Sequence, residues 1–204
     1  MEELRSWAGE GANTSPFALP QGLAGRLAIS VMRWSNPQRE VLDVLGVRDG
    51  ERVLEVGYGP GRLIRLLARH TGASAIHGVD PSETARDAAI KANRAAVKEG
   101  RVVLGLGTAE RTGLPDASFD RVVSVNNVAI WPDLDAGLRE LRRVVRPGGT
   151  VLIAWHGGTA PSRITARLQL TEEQLTRIED ALRRLFSDVA RRRLKDLEVF
   201  LATR

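Results

Sequence analysis

Arg52-Val53-Leu54-Glu55-Val56-Gly57-Tyr58-Gly59-Pro60-Gly61 is the stretch of this 204-residue chain that decides its fold. Val53, Leu54 and Val56 form a short apolar run between the charged pair Glu51-Arg52 and a glycine-rich turn. That pattern predicts a strand buried on both faces. Glycines at alternate positions, Gly57, Gly59 and Gly61, let the backbone turn sharply, come close to a ligand and open a helix with no Cβ in the way. The expected local structure is therefore strand, ligand turn, helix.

The spacing of the turn narrows the ligand. It is Gly-x-Gly-x-Gly and not Gly-x-Gly-x-x-Gly, and it lacks the Lys-Ser/Thr pair that holds a triphosphate with its magnesium. Glu55 stands just before it, and a carboxylate there repels pyrophosphate and attracts an ammonium group. A cationic, amino-acid-bearing ligand fits these residues better than a dinucleotide, so a dehydrogenase ranks last. The Glu-x-Gly-x-Gly-x-Gly arrangement resembles the first motif of the Rossmann-like, class I S-adenosylmethionine-dependent methyltransferases, in a type 11-like form. The resemblance implies S-adenosylmethionine as cofactor, held at Glu55, Gly57, Tyr58, Gly59 and Gly61.

Downstream, Ala75-Ile76-His77-Gly78-Val79 predicts a second strand ending at Asp80, roughly 20 residues beyond the turn, where Rossmann-like folds place the carboxylate that accepts the ribose hydroxyls. The resemblance places Asp80 and Pro81 against the cofactor, and capping of the next helix beside Pro81-Ser82 is the competing role for Asp80. A long alanine-rich helix is expected from Ser82 to about Glu99, with Ala85, Ala88, Ala89, Ala92 and Ala96 inward. After a third strand, Val102–Leu106, the segment Gly107-Thr108-Ala109-Glu110 looks like the family's adenine-binding motif. Thr108 stands where an aspartate is common, so the adenine amino contact falls to Thr108 or to Glu110, beside the backbone of Ala109.

A fourth strand, Arg121 to Val125, delivers Asn126-Asn127 to the same edge. The resemblance puts the methionine end of the cofactor there, with Asn126 beside it and Asn127 facing the acceptor, although asparagines at a strand end also serve as plain turn formers. Arg146-Pro147-Gly148-Gly149 then turns the chain into a fifth strand, Thr150–Trp155. Thr171-Glu172-Glu173-Gln174 reads as a capping box opening a helix to about Phe186. Two last strands, near Val189–Leu194 and Glu198–Ala202, are expected to form a closing antiparallel hairpin. The predicted fold is α/β, a Rossmann-like doubly wound sheet that is mostly parallel, with a methyltransferase domain over residues 47–204.

Ahead of it, residues 1–46 read as a flexible lead to about Pro20 followed by two lid helices, Leu23–Trp34 and one capped by Asn36 with Pro37 at its first position. The chain has no cysteine, which excludes thiolate-held zinc and disulfides, and no metal site is expected. No apolar run reaches the length of a membrane span and no leader pattern opens the chain, so a cytoplasmic location is the expectation. The net charge of +5 permits nucleic-acid contact, but the basic residues are spread out apart from Arg191-Arg192-Arg193, as on a solvated surface.

Methyl transfer by in-line displacement needs alignment of two reactants more than a dedicated base. His156, after the fifth strand, is the one histidine placed to act as a base; His77 inside a strand and His70 near a helix end suit packing and capping. Trp34, Trp131 and Trp155, with Tyr58, either line an acceptor pocket or pack beneath the lid. The resulting expectation is methyl transfer to a small molecule. The alternatives are an RNA or protein methyltransferase, or a module that binds the cofactor without transferring methyl.

Overall fold

The computed structural model describes residues 6–9, 38–161 and 165–204. The first lid helix, Trp34, Asn36 and Pro37 lie outside the described residues, as does most of the lead.

Helix α1, Gln38–Leu45, buries Val41 and Leu45 and precedes β1, Arg52–Val56. The chain then alternates through α2, Arg62–His70, β2, Ala75–Asp80, α3, Glu83–Ala92, α4, Arg94–Lys98, and β3, Val102–Leu106. It continues through β4, Phe119–Val125, a 3-10 turn at Val128–Ile130, α5, Leu134–Val144, and β5, Val145–His156. A second 3-10 turn at Thr165–Leu168, α6, Glu172–Leu185, β6, Ser187–Arg193, and β7, Leu197–Thr203, complete it.

The seven strands form one sheet in the order β3-β2-β1-β4-β5-β7-β6. β7 runs antiparallel to both β5 and β6, and the remaining pairs are parallel. The chain leaves β1 toward β2 and β3 and returns to β4 on the other side of β1, so the strand order reverses at β1 and opens a crevice at the carboxyl ends. β1 shows why its sequence reads as continuously apolar. Leu54 and Val56 enter the core on one face and Val53 the core on the other.

Several boundaries differ from the sequence reading. The expected single helix from Ser82 to Glu99 is two, because Asn93 breaks it: its side-chain amide donates to the Gly61 carbonyl at 3.1 Å and to the Ala89 carbonyl at 2.9 Å. Its inner side is also narrower than expected, for Ala85 and Ala89 are buried, Ala88 and Ala96 half-buried and Ala92 exposed. β5 begins at Val145, so Arg146 to Gly149 belong to the strand, where the Gly148 amide bonds to the Arg204 carbonyl at 2.7 Å. Residues 6–9, expected within a flexible lead, are docked. The Trp7 indole donates to the Val128 carbonyl at 2.7 Å, its amide to the Trp131 carbonyl at 3.2 Å, and Gln174 donates to the Ala8 carbonyl at 2.8 Å.

The link from β3 to β4 is a loop held by side chains. The Thr112 hydroxyl and amide both donate to Glu140, at 2.6 and 2.8 Å, and Arg143 donates to Glu140 and to the Leu114 carbonyl, each at 2.7 Å. The Arg143 bonds, with those from Thr112, hold the Glu140 carboxyl down at about 2. The capping box read at Thr171 and Gln174 forms at the start of α6. Among the described residues no helix is long and apolar enough to cross a membrane.

Candidate functional site

At the carboxyl end of β1 the glycine turn is built by close approach as much as by conformation. Gly57 has φ +76 and Gly59 has φ +50, a left-handed region that side chains rarely adopt. A Cβ on Gly57 would fall 2.0 Å from Asn127 Nδ2, so this glycine is required by the protein's own interior. A Cβ on Gly59 would meet nothing within 4 Å among the described residues, so that residue presents bare backbone on that side. Gly61 lets α2 start against α3, since a Cβ there would meet Ala89 Cβ at 2.8 Å.

Two buried carboxylates flank the turn. Glu55 is 1% exposed, and one of its oxygens accepts from the Ile64 amide at the start of α2. The other, Oε2, has no hydrogen-bond partner among the described residues. Burial pushes the Glu55 carboxyl well above the usual carboxylate range, and the neighbouring Asp80 adds to it. A buried acceptor without a donor is costly unless something supplies one. Asp80, 7% exposed at the end of β2, accepts from the Gly59 amide through Oδ2 and from the Ser82 amide through Oδ1, each at 2.9 Å. Burial raises its pKa and those two amides oppose the rise. The helix cap weighed for Asp80 is supplied by Ser82, whose Oγ accepts from the Ala85 amide. Pro81 between them is exposed.

The third strand brings Thr108 to Glu110 to the same edge. Thr108 and Arg111 close a local turn, with the Thr108 amide donating to the Arg111 carbonyl at 3.1 Å and Thr108 Oγ1 accepting from the Arg111 amide at 3.2 Å. Ala109 is buried, and Glu110 reaches toward the Asp133 amide at 3.5 Å. Asn126 adopts φ +57, and its amide bonds to the Ala154 carbonyl at 2.8 Å, which fixes it beside β5.

Of the residues expected around an acceptor, Asn127, Trp131 and Trp155 direct their polar atoms to partners within the protein. Asn127 donates through Nδ2 to the Val56 carbonyl at 2.7 Å, and its Oδ1 accepts from Ser124 Oγ at 2.6 Å and from the Trp131 indole at 2.8 Å. Trp131 packs onto Gly137, where a Cβ would lie 2.5 Å from the ring. The Trp155 indole donates to the Leu168 carbonyl at 2.7 Å, and the buried Tyr58 hydroxyl donates to the Gly105 carbonyl at 3.0 Å. In each case burial of a large ring obliges its polar tip to find a protein partner, so these side chains are parts of the core.

His156 lies half-buried at the end of β5, its ring edge-on to Trp155 with centroids 5.5 Å apart. Burial lowers its pKa to about 4, which makes it neutral but too weakly basic to take a proton efficiently near neutrality. We expect His156→Gln to keep kcat within about threefold and to leave no inflection near pH 6–7 missing from the pH–rate profile. In urea unfolding the sign is fixed by the same shift. The unfolded chain takes up the proton first, so stability falls as pH drops from 6.5 toward about 4, and the variant loses that part of the slope.

Sequence reasoning missed Ser124, Asn93 and the docked Ser6–Gly9 segment. Ser124, a polar residue inside the otherwise apolar run of β4, was the one visible signal among them.

Comparisons with known proteins bear on the family and the fold. A family profile described as methyltransferase domain matches residues 54–153. The uncharacterized methyltransferase YdaC of Bacillus subtilis is 36% identical over 112 residues, 55% of this chain and 60% of that protein, so the chain spans less than two thirds of this relative. A phosphatidylethanolamine N-methyltransferase of Cereibacter sphaeroides is 32% identical over 151 residues, covering 72% of this chain and 68% of that protein. Among solved structures, a Haemonchus contortus phosphoethanolamine N-methyltransferase, in complex with S-adenosylhomocysteine, shares the fold. It has a TM-score of 0.64 at 21% identity and covers 97% of this chain and 56% of its own.

Proposed function

The chain belongs to the methyltransferase-domain family of Rossmann-like, S-adenosylmethionine-dependent proteins, and from that premise we propose that it transfers a methyl group to the amine nitrogen of a small molecule. The observation that supports the cofactor is the buried Glu55 Oε2, which has no hydrogen-bond partner among the described residues, next to a turn where a Cβ on Gly59 would meet none of them within 4 Å. An ammonium group would give Oε2 a donor and favour the ionised form that burial alone disfavours, so the residues present fit the cofactor's methionine end. Bound S-adenosylmethionine supplies an electrophilic methyl carbon on its sulfonium.

In this reading Asp80 accepts the ribose hydroxyls with the lone pairs left after Gly59 and Ser82 are served. The bare backbone at Gly59 admits the cofactor close to the turn, and Asn126, at the end of β4, borders its methionine portion. Thr108, Ala109 and Glu110 border the adenine. The chain's part in the reaction is to hold cofactor and acceptor in line, which is the larger share of what such a displacement needs. An amine needs no protein base, since it reaches its reactive form by losing a proton to solvent, and this suits an edge where His156 is a poor base. The amine acceptor named for the Cereibacter relative supports the same class. The arginines give little reason to prefer a nucleic acid, because Arg121, Arg143, Arg146, Arg184 and Arg191 are engaged in ion pairs within the chain.

The test is methyl transfer from labelled S-adenosylmethionine to a panel of primary and secondary amines, phosphoethanolamine and phosphatidylethanolamine among them, with catechols, thiols and transfer RNA beside them. Label in an amine with matching S-adenosylhomocysteine supports the proposal. Label in the RNA alone, or tight cofactor binding with no acceptor used, contradicts it.

A further inference from the structure

The backbone ladder between β1 and β4 ends at the pair Val56 and Ser124. Past that pair the two chains part, β1 into the glycine turn and β4 into Asn126-Asn127 and the 3-10 turn at Val128–Ile130. One side chain spans the gap. Asn127 Nδ2 bonds to the Val56 carbonyl at 2.7 Å and reaches the Gly57 carbonyl at 3.4 Å, while Oδ1 takes Ser124 Oγ at 2.6 Å and the Trp131 indole at 2.8 Å. The primary amide is the group that serves both sides, with donors toward the carbonyls and a two-lone-pair acceptor toward the hydroxyl and indole. Gly57 has no Cβ because Asn127 occupies that place.

We propose that Asn127 is a positioning residue that sets the glycine turn relative to the end of β4, so that cofactor affinity depends on its side-chain donor. The proposal rests on the methyltransferase reading. A carboxylate in place of the amide keeps size and shape but turns an oxygen toward the carbonyls of Val56 and Gly57, which opens the turn. Protonation of that carboxyl restores an O–H donor and closes it again. Ser124→Ala removes a donor on the other side of the amide and leaves the bonds to the turn in place.

The experiment measures S-adenosylhomocysteine affinity by calorimetry, and Tm, for wild type, Asn127→Asp and Ser124→Ala at about pH 7.5 and about pH 5. Glu55 on β1 and Asp80 on β2 are the carboxyls flanking the turn and also respond to acid, so each variant is compared with wild type at the same pH. At the higher pH, Asn127→Asp is expected to bind at least about tenfold more weakly than wild type, and at the lower pH to come within about threefold of it. Ser124→Ala is expected to lose Tm and keep wild-type affinity at both.

Affinity loss that merely follows Tm in both variants, or wild-type affinity in Asn127→Asp at the higher pH, overturns the proposal. Should Asn127→Asp not fold at the higher pH, Asn127→Ala replaces it, with a loss of about tenfold at both pH values expected and unchanged affinity counting against. Absence of binding by the wild-type chain is a separate outcome: it overturns the methyltransferase reading, and this proposal with it.

Discussion

Gly57→Ala is expected to abolish measurable S-adenosylhomocysteine binding and to lower Tm more than any other single methyl added to the turn. The new Cβ carries the cost of a left-handed conformation, about 1–2 kcal/mol, at φ +76. It also lands 2.0 Å from Asn127 Nδ2 and displaces the amide from the Val56 carbonyl, Ser124 and Trp131. Each of the three buried bonds lost costs on the order of 1 kcal/mol, so with the backbone strain the sum is roughly 4–5 kcal/mol. For a chain of this length that corresponds to a Tm drop of roughly 8–20 °C. Gly59→Ala separates packing from cradle. Its Cβ meets nothing within 4 Å among the described residues, so it is expected to carry only the left-handed strain of about 1–2 kcal/mol, a Tm drop of roughly 2–8 °C, while losing cofactor affinity. Differential scanning fluorimetry with calorimetry distinguishes the two, and equal behaviour of both variants would contradict the different roles given to these glycines.

The second large effect is expected at Asp80. Asp80→Ala leaves the amides of Gly59 and Ser82 without their acceptor in a nearly closed site and removes the acceptor proposed for the ribose. Hydrogen bonds to a charged group contribute about 1.5–3 kcal/mol, which places the loss of S-adenosylhomocysteine affinity at roughly 10- to 150-fold. The ribose role adds a sharper expectation. Wild type is expected to discriminate against a cofactor analogue lacking ribose hydroxyls, and Asp80→Ala is expected to bind both forms alike. Discrimination that survives the substitution would place the ribose elsewhere and leave Asp80 as a brace for the turn.

The parts of this site that were readable from sequence are those where one residue type is dictated by local chemistry. An acid before alternating glycines, and a second acid at the end of the next strand, announce themselves without knowledge of what packs around them. Orientation does not. Asn127, Trp131 and Trp155 stand at the carboxyl edge, yet their polar atoms bond within the core. The left-handed φ of +57 at Asn126 redirects the chain just before Asn127, and nothing in the letters fixes that angle.

Long-range contacts were equally silent. The helix after β2 breaks at Asn93 because that amide serves the Gly61 carbonyl, 32 residues away, while local propensity favours one uninterrupted helix. The docking of Trp7 against Val128 joins residues 121 apart in sequence, so composition alone made that segment resemble a free lead. By contrast, the capping box of α6 was legible because both of its bonds lie within three residues of each other.

The reading as a whole depends on one ligand, the cofactor whose ammonium group answers Glu55 Oε2, which has no hydrogen-bond partner among the described residues. The most direct measurement is a calorimetric titration of the wild-type chain with S-adenosylmethionine, S-adenosylhomocysteine and NAD under the same conditions. Binding of the first two in the micromolar range or tighter, with no heat from NAD, is the predicted result. Binding of NAD with neither of the others would contradict it and return the glycine turn to the dinucleotide folds.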